Sequence, residues 1–65
     1  LANYQGEWSG IVTYSKGQST SVSGLYYTSK IDNNLNHLVT DIDYWLPNPI
    51  NLKADKTAVL LIRLL

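Results

Sequence analysis

The sequence predicts an all-β domain: a small sheet of short strands with a long loop and an extra apolar strand at the C-terminal end. Short runs of β-branched and aromatic residues alternate with Gly-, Ser- and Asn-rich stretches, which is typical of strands and turns. The 65 residues include no Cys, so no disulfide supports a chain that buries only about 60% of its unfolded surface. Two Trp and five Tyr, with no Phe, must therefore supply most of the core.

The first strand is predicted at Ile11-Val12-Thr13-Tyr14, a run of β-branched and aromatic residues. It follows Gly10 and precedes the turn sequence Ser15-Lys16-Gly17. A second, more polar strand is expected at 19–22, where Val22 is the single apolar residue. Each of these segments is too short to be stable unless it pairs with a neighbour.

A hairpin is predicted around Ser23-Gly24, because Gly supplies the positive φ that a two-residue turn needs. The return strand is expected at Leu25–Ser29. Successive side chains of a strand point to opposite faces of the sheet. Only one of the adjacent residues Tyr26 and Tyr27 is therefore expected to point into the core.

The second half of the chain contains a long polar loop and two apolar segments. The loop, from Lys30 to Asp43, is rich in Asn and has no sustained period, although it has room for one helical turn. Tyr44-Trp45-Leu46 follows, and the prolines of "LPNPI" end this segment. The run from Thr57 to Leu65 is nearly all apolar, and we favour a strand over a helix although periodicity alone does not separate the two.

Aromatic residues and glycines recur at set intervals across residues 6–47. In order, the set comprises Trp8, Tyr14, Gly17 with Gln18, Gly24, Tyr27 and the closing pair Tyr44-Trp45. This arrangement resembles the small chitin- and cellulose-binding modules attached to bacterial chitinases and cellulases. The same kind of module is found in bacteriophage tail-fibre and tail-tip proteins.

The resemblance implies a compact, twisted antiparallel sheet of about three short strands. It also implies which residues build the structural core and its turns: Trp8, Tyr14, Gly17, Gly24, Tyr27 and Trp45. Chitin- and cellulose-binding members bind sugars through further exposed rings, whose flat faces stack on pyranose C–H groups. Such rings follow the return strand or lie in the loop before the last Trp.

At those two places the present sequence has Lys30-Ile31-Asp32 and Asn36-His37-Leu38, neither of which contains Trp, Tyr or Phe. The absence of these rings argues against binding to crystalline polysaccharide. The candidate ligand-binding residues that remain are Tyr26, which is expected to face away from Tyr27, and Tyr44, with Tyr4 as a further exposed ring. For Tyr26 the alternative is that it packs under the C-terminal extension.

Charge and length argue against several partners. Five Lys and Arg balance five Asp and Glu, so we expect no nucleic-acid-binding stripe and no polybasic membrane patch. The apolar run Ala58–Leu65 is far shorter than the roughly 20 residues that span a bilayer, so we expect no membrane insertion.

Oxygen-bearing side chains alternate in the long loop in a way that resembles an EF-hand calcium loop. Positions one, three, five, nine and twelve would be Asp32, Asn34, Asn36, Thr40 and Asp43. However, His37 stands where the loop needs Gly, and position twelve is Asp instead of the longer Glu. The simpler interpretation is a solvated loop whose Asn and Asp side chains bond to its own backbone.

No combination of nucleophile, base and orienting group is recognisable, so we expect no enzymatic activity and no cofactor. His37 is the only His, which is too few for a zinc site. We expect a lead-in at 1–5, a carbohydrate-binding-module-like domain at 6–47 and an extension at 48–65. Both ends of the sequence suggest a piece of a longer protein.

The apolar extension is expected to be covered, either within its own chain or by copies of itself. Tail fibres are typically trimers, so the resemblance implies a homotrimer through this segment, in a virion or another extracellular setting. The expected function is a non-catalytic structural or receptor-binding segment of a phage tail fibre or tail-tip protein that contacts cell-surface polysaccharide. The alternative is an accessory chitin- or cellulose-binding module of a secreted glycoside hydrolase.

Overall fold

The computed structural model describes residue 1 and residues 3–54, with side chains for all of these except residues 53 and 54. The strand expected at 57–65, and the trimer contact expected there, lie outside the described residues. The described residues form six short strands and one short helix: β1 (Tyr4–Glu7), β2 (Thr13–Tyr14), β3 (Ser19–Val22), β4 (Leu25–Ser29), β5 (Asn34–Leu35), β6 (Trp45–Pro47) and α1 (Ile50–Ala54).

The strands form two small sheets, which confirms the all-β class. One sheet has four strands in the order β1-β3-β4-β6, and the other pairs β2 with β5. This is more than the three strands expected, because residues 4–7 and 45–47 join the main sheet and the long loop contains β5. Within the described residues no helix is both long and apolar enough to cross a bilayer.

The main sheet is mixed instead of purely antiparallel, because β1 runs parallel to β3. The N-terminal residues expected to be a lead-in thus belong to the sheet: Ser19 N donates to the carbonyl of Asn3 at 2.9 Å, and Trp8 N donates to the carbonyl of Ser21 at 2.9 Å. Gly6, with φ of +90°, lies where the register of β1 shifts. A bulge of this kind bends an edge strand.

The hairpin expected around Ser23-Gly24 is confirmed. Both residues have positive φ, 51° and 80°, as a type I′ turn requires. Val22 and Leu25 are then directly paired, and β4 pairs with β3 over its first four residues. This turn therefore fixes the register that decides which side chains share a face.

The first predicted strand is shorter than expected. Ile11 and Val12 belong to a turn, in which Val12 N donates to the carbonyl of Ser9, and Ile11 is 90% exposed. Only Thr13 and Tyr14 pair with another strand, β5. The β-branched side chains of Ile11 and Val12 favour a strand, but the turn that contains these two residues prevents them from pairing with a neighbouring strand.

The core is built around two large rings, those of Tyr14 and Trp45, each 1% exposed. They meet edge to face, with ring centroids 5.0 Å apart. Val39 completes the buried cluster, and Trp8, Tyr27 and Tyr44 pack against it as partly buried rings. A small core of this kind depends on few side chains, so each of them contributes a large share of the stability.

One backbone carbonyl anchors both tryptophans. The indole N–H groups of Trp8 and Trp45 donate to the carbonyl oxygen of His37, at 3.0 and 2.8 Å. Indole N–H groups usually find a partner when they are buried. The long loop thereby closes over the core and holds both rings in place.

Candidate functional site

The main sheet has two faces, which the pairing of β3, β4 and β6 defines. The core face carries Thr20, Tyr27, Ser29 and Trp45. The opposite face, here called the open face, carries Tyr4, Glu7, Ser19, Ser21, Tyr26, Thr28 and Leu46. This face combines two rings with three hydroxyls, and Glu7, at the end of β1, is its charged residue in the described part of the chain.

The two rings of the open face, Tyr4 and Tyr26, form an edge-to-face pair. Their centroids are 5.8 Å apart and their planes meet at 65°. The hydroxyl of Tyr4 lies 2.7 Å from the Oγ of Ser21, which is buried beneath the rings. Tyr4 itself remains 44% exposed. The pair is thus held in a fixed orientation while part of its surface faces water.

The backbone of Tyr26 is clamped by the side chain of Asn51, from α1. Tyr26 N donates to Asn51 Oδ1 at 2.8 Å, and Asn51 Nδ2 donates to the carbonyl of Tyr26 at 2.9 Å. Asn48 N donates to the same carbonyl at 2.9 Å. The side-chain amide of Asn51 therefore makes the hydrogen bonds to Tyr26 that the backbone of a longer β6 would otherwise make.

A recess of about 350 Å³ lies beside this pair. We call it the hydroxyl recess; its lining residues are Leu1, Gly17, Ser19, Thr28, Asn48 and Ile50. The Oγ of Ser19 and the Oγ1 of Thr28 are hydrogen-bonded at 3.3 Å. Asn48 Oδ1 accepts a hydrogen bond from Ile50 N at 3.0 Å, which directs its NH2 group elsewhere.

A second recess of the same volume, about 350 Å³, is lined by Trp8, Val22, Leu38, Val39 and Thr40. We call it the Trp8 recess. Its lining is almost entirely apolar, since Thr40 is the single residue with a polar side chain apart from the indole N–H of Trp8. That N–H is already bonded to His37.

Tyr44, the other ring expected to bind ligand, stacks on the imidazole of His37. The two rings are nearly parallel, at 6°, with centroids 3.5 Å apart. One face of the Tyr44 ring is thus covered by a neighbour from its own chain. Tyr44 also packs against the core, so it offers less ring surface to a ligand than the Tyr4–Tyr26 pair does.

The two loop segments that lack aromatic platforms make hydrogen bonds within the chain. Lys30 Nζ donates to the carbonyl of Ile42 at 2.8 Å, and Lys16 N donates to Asp32 Oδ1 at 3.0 Å. The carbonyl of His37 holds both indoles. These segments therefore support the fold.

The calcium loop considered from the sequence is not assembled. Asn34 is fully buried, and its Nδ2 donates to Ser29 Oγ and to the carbonyl of Tyr44. Its Oδ1 is also buried and has no hydrogen-bond partner in the described part of the chain, so it cannot reach a cation in solvent. Across residues 1 and 3–54 no three His, Cys, Asp or Glu side chains are grouped for metal binding.

Sequence reasoning missed the contributions of Asn48 and Asn51 to the open face, and although it named Tyr4 as an exposed ring it did not predict that Tyr4 pairs with Tyr26. One signal was available: Asn48 followed by Pro49 is typical of a helix start, with Asn as N-cap and Pro at the first helical position. The pairing of β1 had no comparable signal, because "YQGE" alternates no apolar residues and its partner is distant in sequence. The chain matches no known protein family, no curated protein and no solved structure.

Proposed function

We propose that this chain is a non-catalytic structural and receptor-binding segment of a bacteriophage tail fibre or tail-tip protein, and that its open face contacts cell-surface glycan. The observation that carries the proposal is the Tyr4–Tyr26 pair, which is held on the face of the sheet that the core does not use. Sugar recognition by stacking needs a flat apolar ring that is fixed and accessible.

The way in which Tyr26 is held supports this role. Its backbone N–H and C=O are both bonded to Asn51, and its ring meets Tyr4, whose hydroxyl is tied to Ser21. A ring that is already ordered loses little conformational freedom when a ligand binds. The free energy of stacking is then not offset by the entropy cost of ordering the side chain.

The loops favour the tail-fibre proposal over an accessory module of a glycoside hydrolase. In the chitin- and cellulose-binding proteins that the sequence resembles, further rings extend the platform from these loops. Here Lys30 and Asp32 bond to the chain itself, and His37 is stacked on Tyr44. One ring face beside an edge-to-face partner suits a soluble or branched surface glycan better than the flat face of a crystal.

The first experiment measures binding of the chain to purified bacterial cell-envelope polysaccharides, and to insoluble chitin and cellulose. We expect binding to an envelope polysaccharide that Tyr26→Ala weakens by at least about tenfold, the effect of losing about 1.4 kcal/mol at an aromatic contact. Tyr44→Ala should have the smaller effect, because His37 covers one of its ring faces.

Retention on chitin or cellulose, lost with Tyr26→Ala, would favour the accessory-module alternative. Binding that depends on Tyr44 and is unaffected by Tyr26→Ala would contradict the assignment of the open face. Failure to bind any polysaccharide would leave a purely structural segment and would overturn the receptor-binding part of the proposal.

Self-association through residues 57–65 is a further part of this proposal, and it rests on the sequence "TAVLLIRLL" together with the family analogy. Sedimentation equilibrium of the chain and of the double variant Leu60→Asp with Ile62→Asp tests it. We expect a trimer for the parent and a folded monomer for the variant. A monomeric parent would contradict assembly through this segment.

A further inference from the structure

We propose that the hydroxyl recess is a second sugar subsite, suited to an uncharged pyranose unit of the same glycan whose neighbouring unit stacks on Tyr26. This inference rests on the proposed binding of glycan at the open face, and it adds where the second unit lies and what chemical class it belongs to.

The recess and the tyrosine pair are adjacent on one surface. Thr28, in the floor of the recess, is the next open-face residue of β4 after Tyr26, about 7 Å along the strand. On the other side, Asn48 N is bonded directly to the carbonyl of Tyr26. A ligand longer than one sugar unit that stacks on Tyr26 can therefore extend along the strand towards the recess.

The lining matches the two kinds of surface that a pyranose presents. Leu1 and Ile50 are apolar walls, suited to ring C–H groups, and the floor supplies the hydroxyl of Thr28, which is itself bonded to that of Ser19. Thr28 Oγ1 can accept a second hydrogen bond beside its bond with Ser19. Sugar hydroxyls both donate and accept, so a floor of this kind can bond them in either direction.

Asn48 supplies the most directional group of the recess. Its Oδ1 is taken by Ile50 N, which fixes the amide so that Nδ2 is the end left for a ligand. No hydrogen bond of Nδ2 to another residue is present in the described part of the chain. An amide held by its own oxygen is a donor with a set direction, and such groups orient ligands in mostly preformed sites.

The uncharged side chains of the lining set the ligand class. None of the five lining side chains (Gly17 has none) is ionisable, so a carboxylated or sulfated sugar would lose hydration in the recess without gaining an oppositely charged side chain. The Trp8 recess has the same volume but lacks the polar floor. A sugar placed there would leave its hydroxyls without partners, so we assign the subsite to the hydroxyl recess.

The variant Asn48→Asp tests the subsite with little risk to the fold. Asp is as good an N-cap as Asn, so the bond to Ile50 N is kept, while the NH2 donor is replaced by an oxygen and a negative charge. The matched control is Asn33→Asp, which adds the same charge at an exposed position with φ of 56°, a conformation that Asp tolerates. Thr28→Val is a second, uncharged variant, with Thr13→Val on the other sheet as its control.

Binding of each variant is measured by calorimetry with neutral tetrasaccharides (cellotetraose, N-acetylchitotetraose, maltotetraose and a mannotetraose) and with one anionic probe, tetragalacturonate. We expect at least one neutral probe to bind. Asn48→Asp should lower the affinity for that probe by about tenfold or more. Thr28→Val should lower it by about fivefold, which corresponds to the loss of about 1 kcal/mol of hydrogen bonding. Both controls should bind as the parent does, and tetragalacturonate should bind at least about tenfold more weakly than the best neutral probe.

The outcomes separate this inference from the proposed function. If Tyr26→Ala abolishes binding while Asn48→Asp and Thr28→Val bind as the parent does, the second subsite is wrong and glycan binding at Tyr26 stands. Equal or tighter binding of tetragalacturonate would overturn the assignment to uncharged sugars. If the parent binds none of the probes, the subsite for these uncharged sugars is contradicted, whereas the glycan-binding role is contradicted only if the envelope polysaccharides also fail to bind.

Discussion

The two faces of the main sheet are made from the same strands and differ in what their side chains bond to. On the core face, Tyr27 and Trp45 pack with Tyr14, and the Trp45 indole N–H is bonded within the chain. On the open face, Tyr26 and Leu46 are the immediate neighbours of those residues in sequence. There the rings pack on each other and on hydroxyls, and the remaining surface faces water.

The difference shows how so short a chain can combine stability with recognition. Because side chains alternate along a strand, adjacent residues can serve the core and a ligand separately. Substitutions on the two faces should therefore separate into those that change the free energy of unfolding and those that change binding.

The largest expected effect is that of Trp45→Ala. A buried Trp costs about 3–5 kcal/mol when truncated, which is comparable with the whole stability of a domain of this size. We expect the variant to be largely unfolded by circular dichroism at 25 °C. For its neighbour Leu46, which is 56% exposed, the change to Ala should lower the free energy of unfolding by less than about 1 kcal/mol. If both variants lost a similar free energy of unfolding, the core face and the open face would not differ in their contribution to stability.

The second comparison uses the adjacent tyrosines. Tyr27→Ala should lower the free energy of unfolding by roughly 2–3 kcal/mol, since its ring packs against the core. Tyr26→Ala should cost about 1 kcal/mol, for the lost contact with Tyr4. Urea denaturation measures both. A larger loss for Tyr26→Ala than for Tyr27→Ala would mean that the open face is a second core.

The two hydrogen bonds from the Asn51 side chain should stabilise the backbone at Tyr26 without affecting the rest of the sheet. Asn51→Ala removes both side-chain bonds to the Tyr26 backbone, worth roughly 1–2 kcal/mol together. We expect faster hydrogen exchange at the Tyr26 amide, with the Tyr27 amide, bonded within the sheet, unchanged. Leu52→Ala, at an exposed position of the same helix, is the control. If the hydrogen-exchange rate of the Tyr26 amide is unchanged in Asn51→Ala, the side chain of Asn51 does not hold the backbone of Tyr26.

The smallest effect is expected at the hairpin turn. Apart from its two chain neighbours, no atom of the described residues lies within 4 Å of a Cβ added at Gly24, so its φ of +80° is the obstacle to a side chain there. Gly24→Ala should therefore cost about 1 kcal/mol in thermal or urea unfolding, and Gly24→Asn, which tolerates positive φ, should cost less. Equal losses would indicate that the backbone conformation is not the cause.

The hairpin and the opposite orientations of Tyr26 and Tyr27 could be predicted because both depend on local rules, namely turn chemistry and strand alternation. The parallel pairing of β1 with β3 could not, since it joins a polar segment to a partner about 15 residues away. The same holds for the burial of Asn34, an Asn in a polar loop whose amide is used to bond β4 to the chain before β6.

The candidate site was predictable only in part. Tyr26 followed from alternation, whereas the ring of Tyr44 is stacked on His37, a residue seven positions away in a loop without a regular period. The hydroxyl recess draws on four separate segments of the chain. Its assembly depends on the tertiary pairing that brings residues 1, 17–19, 28 and 48–50 together, and no local pattern encodes that pairing.

The measurement that tests the central claim most directly is a titration of the 15N-labelled chain with the neutral tetrasaccharides, followed by amide chemical shifts. If the open face binds glycan, the changes in amide chemical shift will be largest at Tyr4, Tyr26, Thr28 and Asn48. The amide shifts of Trp8 and His37 will not change. Shifts centred on Trp8 and His37, or no shifts with any of the sugars, would contradict the account.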